Sequence, residues 1–295
     1  MAMRISDNMT IGYLTRSNAH LRNELTANAR RASSGARINS PSDDPVGAAR
    51  LARVQAGLDR STAYKSAISS AREDAAVAES AISGAQDVLK RAQEIALLGS
   101  NATTTAQSRT DMAKEVAQLK AQILSVGNLK GSNGYLFAGT ASGVAPFTPA
   151  GAFIGNANGR NVEIASGVTV AVNVSGAKAF TVAGGRDIYT DLTALETALN
   201  TNNSDAVAAT ILTIEAGHTQ LSAARSDAGL ILSRLDVAEE GHVSSDLTLS
   251  QARADIVDVD PSEAYTAFSN TQRALDQSIT VTRNILSILA SNKLQ

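Results

Sequence analysis

The sequence predicts a mainly α protein in which long helices from both ends of the chain pack lengthwise and a small β insertion interrupts them. Apolar residues recur at alternating steps of three and four in the flanks, and glycine and aromatic residues concentrate in the middle. Such a repeat puts one narrow apolar stripe on a helix, which a second helix must cover. We expect an elongated long-helix bundle formed by the N- and C-terminal regions, with an all-β outer domain between them.

Three apolar stripes carry this prediction. The first comprises Ile68, Ala71, Ala75, Ala78, Ile82, Ala85, Leu89, Ala92 and Ala96. The second comprises Met112, Val116, Leu119, Ile123 and Val126, and the third Ala224, Ala228, Ile231, Leu235 and Ala238. Alanine dominates them, and small side chains let helix axes approach closely. The stripes therefore predict the packed core of the protein.

Both ends of the chain carry thinner stripes, in which asparagine, serine and threonine alternate with apolar residues. A stripe of this kind buries too little to hold a lone helix together in water. Each end is therefore expected to be half of a pair, and we predict that the pair forms the assembly interface. Its predicted members are Leu14, Leu21, Leu25, Phe268, Leu275, Ile285 and Leu289.

Helix-capping residues lie near both ends. Ser34 and Gly35 stop the first helix, and an aspartate followed by Pro45 starts the long one, since aspartate is a favoured N-cap and proline a favoured first helical residue. Asp260, Pro261 and Glu263 have the spacing of a capping box. The predicted signature and capping residues are Arg37, Asn39, Asp43, Asp44, Pro45, Asp260, Pro261 and Glu263.

The middle of the chain has β character. The valines at 168, 170, 172 and 174 alternate as in a half-buried strand, Val162 and Ile164 begin another, and Asn158 with Gly159 forms a hairpin-turn dipeptide. We predict three domains. Residues 1–44 with 256–295 form a terminal coiled-coil domain, residues 45–133 with 191–255 form the long-helix bundle, and residues 134–190 form the β-rich outer domain.

Composition and motifs argue against an enzyme. The chain has no cysteine, so disulfides and cysteine-based zinc sites are excluded. We find no phosphate-binding loop, dinucleotide fingerprint or nucleophile elbow, and the three histidines are isolated. We predict no catalytic, metal or cofactor-binding residues. No stretch of 18 apolar residues occurs, so no membrane contact is expected. Without a recognisable signal sequence, any export is expected to proceed without a cleaved signal peptide.

Charge is unevenly distributed although the net charge is only −2. Residues 1–72 carry eleven basic and five acidic side chains, whereas residues 234–263 carry eight acidic and two basic ones. This complementarity suits pairing within a subunit or between subunits, and solvated helix faces without a partner are the alternative. The low net charge argues against nucleic acid as a partner.

Residues 33–47, which read SSGARINSPSDDPVG, resemble the amino-terminal signature of bacterial flagellins and their relatives. Residues 258–289 resemble the matching carboxyl-terminal signature. Three segments are similar to sequences of the junction proteins of this family rather than to those of its filament proteins. They are the opening MRISDNM at 3–9, the tripeptide DDP at 43–45 and the segment GYLFAGT at 134–140. The carboxyl end also lacks the short sequence motifs that are typical of filament flagellin.

The resemblance implies a structural component of the bacterial flagellum that lies outside the cell. It implies a ring of copies of this chain, placed between hook-associated protein 1 and the flagellin filament. It also implies an export chaperone and the flagellar type III export apparatus as partners. Filament flagellin itself is the first alternative, and a helical-bundle regulator that binds another helical protein is the second. A nucleic-acid binder using the arginine-rich first 72 residues is the most distant.

Overall fold

The computed structural model describes the backbone of residues 2–291 and the side chains of residues 9–288. The helices are α1 (Ala2–Ser34), α2 (Pro45–Ser100), α3 (Ala106–Gly127), α4 (Gly176–Phe180), α5 (Ile188–Asn200), α6 (Ser204–Val257) and α7 (Pro261–Ser291), with a 3-10 turn at Val182–Gly184. The strands are β1 (Lys130–Gly131), β2 (Gly134–Tyr135), β3 (Asn161–Ala165) and β4 (Val168–Ala171).

The chain folds into two compact units. The terminal unit consists of the described residues in 1–60 and 245–295, and the central unit of residues 61–244. The two longest helices, α2 and α6, each contribute residues to both units. The predicted long-helix architecture is confirmed.

The central unit holds the apolar core. Every residue of the stripe between 68 and 96 is buried there, as predicted, together with side chains from α3, α5 and α6. The helix α5 completes this core and was not predicted as a separate element. Asp187 caps it by accepting a hydrogen bond from the backbone N–H of Thr190 at 2.9 Å. The side chains of Ile188, Leu192, Leu195 and Leu199 are at most 1% exposed.

The predicted all-β outer domain is wrong. In the middle of the chain, β1 pairs with β2 and β3 with β4, both antiparallel, and turns and the short helix α4 account for the rest. The alternating valines extend beyond the strand. The strand β4 ends at Ala171, and Val172 and Val174 are buried in the helical core. Beyond the strands, Val172 N donates to the backbone oxygen of Arg160 at 2.9 Å, and the side chain of Asn173 accepts the hydrogen bond from Arg160 N at 2.6 Å.

Aromatic side chains explain why this segment does not stand alone. The rings of Phe137 and Phe180 meet edge to face with centroids 5.1 Å apart, and Phe147 lies 5.8 Å from Phe180 in the same geometry. All three belong to the same buried cluster as the alanines of α2. The loops therefore cover the core of the central unit instead of enclosing one of their own.

The terminal unit is built differently. The helices α1 and α7 pack along each other. Gly35 ends α1 in the left-handed conformation, with φ of 68°, which glycine adopts without a steric penalty. Two backbone hydrogen bonds tie the next residues to the α6–α7 turn, from Arg37 N to Val257 O at 2.6 Å and from Val259 N to Gly35 O at 3.1 Å.

Candidate assembly surface of the terminal helices

Two side-chain hydrogen bonds between described residues connect α1 and α7. Asn18 donates from Nδ2 to Thr282 Oγ1 at 3.0 Å, and Asn28 donates to Thr271 Oγ1 at 2.9 Å. Because the later residue on α1 pairs with the earlier one on α7, the helices run antiparallel. The polar residues that thin the predicted stripes therefore bond to each other across the pair. Sequence reasoning placed these four residues on the stripes but did not identify their pairing.

The predicted interface residues lie on this helix pair. The register set by the two bonds puts Leu25 opposite Leu275 and Leu14 opposite Ile285. Leu275 is buried, whereas Leu14, Leu21, Leu25, Phe268 and Ile285 remain half-buried. The side chain of Leu289 lies outside the described residues. The structure thus brings six of the seven predicted residues onto two helices that pack together, and it leaves five of the six only partly covered.

The terminal unit exposes several large apolar side chains at the start of α1 and the end of α7. On α1 these are Met9, 69% exposed, and Tyr13, 68% exposed; on α7 they are Val281, Leu286 and Ile288. Among the described residues of this unit, the buried apolar side chains are Ile38, Ala264 and Leu275. Clustered exposed apolar side chains mark surfaces that another protein covers. Among its described residues, the unit therefore leaves more large apolar side chains exposed than it buries.

The amino-terminal signature builds the turn that enters α2. Asp44 caps this helix, since its Oδ1 accepts a hydrogen bond from the backbone N–H of Gly47 at 2.8 Å. Arg37 donates to Asp44 Oδ2 at 3.1 Å and to the backbone oxygen of Ile256 at 2.9 Å. The hydrogen bond from Gly47, followed by the one from Arg37, holds the pKa of Asp44 below its ordinary value. Pro45 occupies the first helical position.

Asp43 organises the residues before that cap. Its Oδ2 accepts hydrogen bonds from the backbone N–H groups of Asn39 at 3.0 Å and Ser40 at 2.8 Å. Asn39 in turn donates from its side chain to the backbone oxygen of Ala36 at 2.8 Å. The predicted signature residues are therefore neighbours in one hydrogen-bonded turn.

The carboxyl-terminal signature forms half of the expected capping box. Asp260 Oδ1 accepts a hydrogen bond from the backbone N–H of Ser262 at 2.7 Å, and Pro261 opens α7. Glu263 is exposed, and within the described residues its carboxylate makes no hydrogen bond back to the cap. One favourable contribution of Glu263 remains, because a carboxylate in the first helical turn interacts well with the helix dipole.

Sequence reasoning missed a buried carboxylate in the central unit. Asp74 is 3% exposed and accepts hydrogen bonds from Ser132 N and Oγ, from Asn133 Nδ2 and from Arg160 Nη2, at 2.7–3.1 Å. Burial acts to raise the pKa of Asp74, but these donors outweigh it and hold the pKa below the ordinary value. The sequence did hold one signal for this site, because Asp74 is a charged residue that lies close to Ala71 and Ala75 of a core stripe.

One of the three histidines, His242, has a structural environment in the central unit. His242 lies between Ser61 Oγ, 3.3 Å from Nδ1, and the backbone oxygen of Ile164, 2.6 Å from Nε2, and its ring stacks on Tyr64. Across the described residues, no cluster of three or more histidine, aspartate or glutamate side chains is placed to hold a metal ion. No helix within the described residues has the length and hydropathy that a membrane span needs.

Comparison with family models identifies the class of this protein. The model for the bacterial flagellin N-terminal helical region matches residues 5–142, and the model for the C-terminal helical region matches residues 211–289. These ranges contain both signature turns and all of the described interface residues. The chain belongs to the bacterial flagellin family.

Individual relatives show which proteins of this family the chain resembles. The chain is 26% identical over 272 residues to flagellar hook-associated protein 3 of Escherichia coli K12, covering 83% of this chain and 85% of the relative. It is 24% identical over 295 residues to flagellin FlaB1 of Treponema pallidum, covering 97% of this chain and all of the relative. The protein is a structural component of the flagellum that is similar to hook-associated protein 3.

A solved structure shows the same fold. It is described as a putative flagellar hook-associated protein from Vibrio parahaemolyticus and superposes with a TM-score of 0.68 at 24% identity, covering 73% of this chain and all of the other. The relatives named here are structural flagellar proteins and not enzymes.

Proposed function

We propose that copies of this chain form a ring that joins hook-associated protein 1 to the flagellin filament, and that α1 and α7 form the interface. The observation that carries the proposal is the apolar surface of the terminal unit. Met9 and Tyr13 on α1, with Leu286 and Ile288 on α7, are between 43% and 69% exposed in the single chain. Burying such side chains against neighbouring subunits is worth roughly 25 cal/mol per Å² of apolar area.

The proposed interface residues are Leu14, Leu21, Leu25, Phe268, Leu275, Ile285 and Leu289. Leu275 fixes the pair internally because it is buried, and the half-buried members have apolar surface left for a neighbour. The signature residues position this surface, since Arg37 and Asp44 connect the start of α2 to the last turn of α6. The hydrogen-bonded turn thus gives the terminal helices a defined starting point.

The proposal includes a route to the site of assembly. The chain would leave the cell through the flagellar type III export apparatus, without a cleaved signal peptide and with an export chaperone. A chaperone fits the same observation, because exposed apolar helices in a monomer favour association before export.

Microscopy of a strain that lacks the gene tests the junction role. We expect hooks without filaments in the deletion strain, flagellin lost to the medium, and restored filaments when the gene is supplied again. Immunogold labelling should place the restored protein in one band at the base of each filament. Labelling along the whole filament would contradict a junction role.

Filament flagellin is a second candidate, favoured by the full-length match to flagellin FlaB1. A filament subunit binds copies of itself without limit, whereas a junction protein stops after one layer. Purified protein under filament-promoting salt should therefore remain monomeric or form short oligomers. Long filaments formed by this chain alone would establish the flagellin assignment instead.

A further inference from the structure

The central unit leaves large apolar side chains uncovered on one face of α6. Leu230 is 55% exposed and Val237 is 67% exposed. They lie seven residues apart, which is two helical turns, so they share one face of the helix. This face, which we call the outer α6 face, differs from the face that packs in the core. Its other exposed members are uncharged: Thr219, Ala223, Ser226 and Ser233.

The edge of the outer α6 face has room for a close neighbour. Gly229 lies in the interior of α6, and a Cβ atom built there would meet no atom within 4 Å. Glycine inside a helix costs about 1 kcal/mol relative to alanine, and within the described residues no contact requires it at this position. Small side chains let two helix axes approach to about 8 Å. The face therefore suits a second helix packed along it.

Two opposite charges flank this face on the same edge. Asp227 and Arg234 line a groove of about 370 Å³ together with Lys178. Asp227 and Arg234 are exposed, and within the described residues neither of them forms an ion pair. They cannot pair with each other, because seven residues of helix separate them by about 10 Å. Each charge therefore lacks a counterpart in its own chain.

We propose that the outer α6 face binds the same face of a second copy of this chain, with the two helices antiparallel. The midpoint between residues 227 and 234 falls next to Leu230. An antiparallel copy centred there brings Asp227 of each copy beside Arg234 of the other, so one contact forms two ion pairs. Such flanking charges select the orientation and register of paired helices.

The same register also covers the apolar side chains. Leu230 lies beside Leu230 and Ser233 of the second copy, and Val237 lies beside Ala223 and Ser226 of the second copy. Each exposed apolar side chain thus meets either its equivalent or a small residue that leaves room for it. Burying this area stabilises the pair by roughly 25 cal/mol per Å² of apolar surface.

The contact is distinct from the ring proposed above, whose interface lies on α1 and α7. An isologous contact uses the same patch on both copies, so it closes after two copies and cannot grow into a filament. The inference therefore goes beyond the proposed function, and it assigns the isolated protein a dimer that forms through the central unit.

Cysteine cross-linking tests the orientation without background, because the chain has no cysteine of its own. Ser226→Cys and Ser233→Cys, both at exposed positions, are mixed as concentrated purified full-length protein. An antiparallel contact favours the mixed disulfide dimer, whereas a parallel contact favours each variant with itself. We expect mixed dimers at a yield about tenfold above that of Ser233→Cys with Gln118→Cys, an exposed control position on α3.

Charge reversal tests the chemistry of the contact. Asp227→Arg or Arg234→Asp should each weaken dimerisation about tenfold, because two like-charge pairs replace two ion pairs. The chain that carries both substitutions should dimerise as the unmodified protein does. Asp87→Arg makes the same change of charge at an exposed position on α2 and should have no effect. Sedimentation velocity over a series of protein concentrations measures each dissociation constant, and circular dichroism confirms that the helices are intact.

The outcomes separate this inference from the proposed function. A protein that stays monomeric at high concentration, with mixed disulfides no more abundant than in the control, would overturn the dimer and leave a junction role intact. Cross-links of each variant with itself would overturn the antiparallel orientation. Dimerisation that Asp227→Arg does not weaken, or that the double substitution does not restore, would overturn the charge pairing. A failed junction role would show separately, as labelling along the whole filament.

Discussion

The two units of this protein differ in how completely they bury the apolar side chains of their helices. In the central unit, Ile82, Leu192 and Leu235 are fully buried, and one continuous apolar cluster joins α2, α3, α5 and α6. In the terminal unit, two hydrogen bonds and Leu275 hold α1 to α7 while Tyr13 and Leu286 stay exposed. The first arrangement suits a body that folds alone, and the second suits helices that acquire partners later.

The largest expected effect concerns the core. Phe137→Ala should lower the free energy of unfolding of the central unit by about 3–5 kcal/mol, because it leaves a cavity beside Phe180 in a fully buried cluster. Denaturant unfolding followed by circular dichroism measures this loss. Val182→Ala, at a site 74% exposed, is the control and should change the free energy by less than about 0.5 kcal/mol. Unchanged helix unfolding in Phe137→Ala would mean that the loops are not part of the core.

The next largest effect concerns the terminal pair. Leu275→Asp should destabilise the packing of α1 on α7 by about 3 kcal/mol and abolish filament attachment, because it puts a charge into the buried part of the pair. Gln277→Asp, exposed on the same helix, is the matched control and should attach filaments normally. The main unfolding transition of the central unit should be the same in both variants. Normal attachment by Leu275→Asp would refute the role of the pair.

A third prediction uses the buried carboxylate of the central unit. The pKa of Asp74 is lowered in the folded state, so its charge stabilises the fold above its ordinary value of 3.8, and this contribution is lost as the pH falls through the lower folded value. Asp74→Asn should cost about 2–3 kcal/mol at pH 7, since Arg160 loses its partner. Urea unfolding at pH 7 and pH 3 should show a smaller acid-induced loss in Asp74→Asn than in the unmodified protein. Equal losses would exclude Asp74 as a source of acid sensitivity.

The smallest predicted effect lies in the polar bonds of the terminal pair. Asn28→Ala removes the bond to Thr271 and should cost about 1 kcal/mol, measured as faster hydrogen exchange in α1. Asn23→Ala, an exposed position on the same helix, should leave exchange rates unchanged. Asn28→Leu should instead slow exchange but allow other registers, because a polar pair in a helix seam, here a partly buried one, fixes the register at a cost in stability. Slower exchange in Asn28→Ala would show that the bond does not stabilise the pair.

The long helices could be predicted from the sequence because their signal repeats over many turns. Nine stripe positions from Ile68 to Ala96 define one face of α2, and all nine are buried. The capping aspartates Asp44 and Asp260 also lie where their sequence context put them, since N-cap chemistry is local. The thin stripes of α1 and α7 also repeat over several turns, so they indicated a helix pair.

The middle of the chain could not be predicted in the same way. Alternating valines indicate only that one side of a segment packs against an apolar surface. Val172 and Val174 pack in this way against the helical core, although they lie outside any strand. The site at Asp74 depends on Ser132, Asn133 and Arg160, which are distant in sequence and meet only in the fold.

Hydrogen exchange of the monomer and of assembled flagella tests the central claim most directly. The account predicts fast exchange in α1 from residue 12 to 34 and in α7 from 262 to 286 in the monomer, with strong protection after assembly. It predicts strong protection of α2 from residue 68 to 96 in both states. Terminal helices protected as strongly as α2 in a verified monomer would contradict the account, because they would then need no partner to be stable.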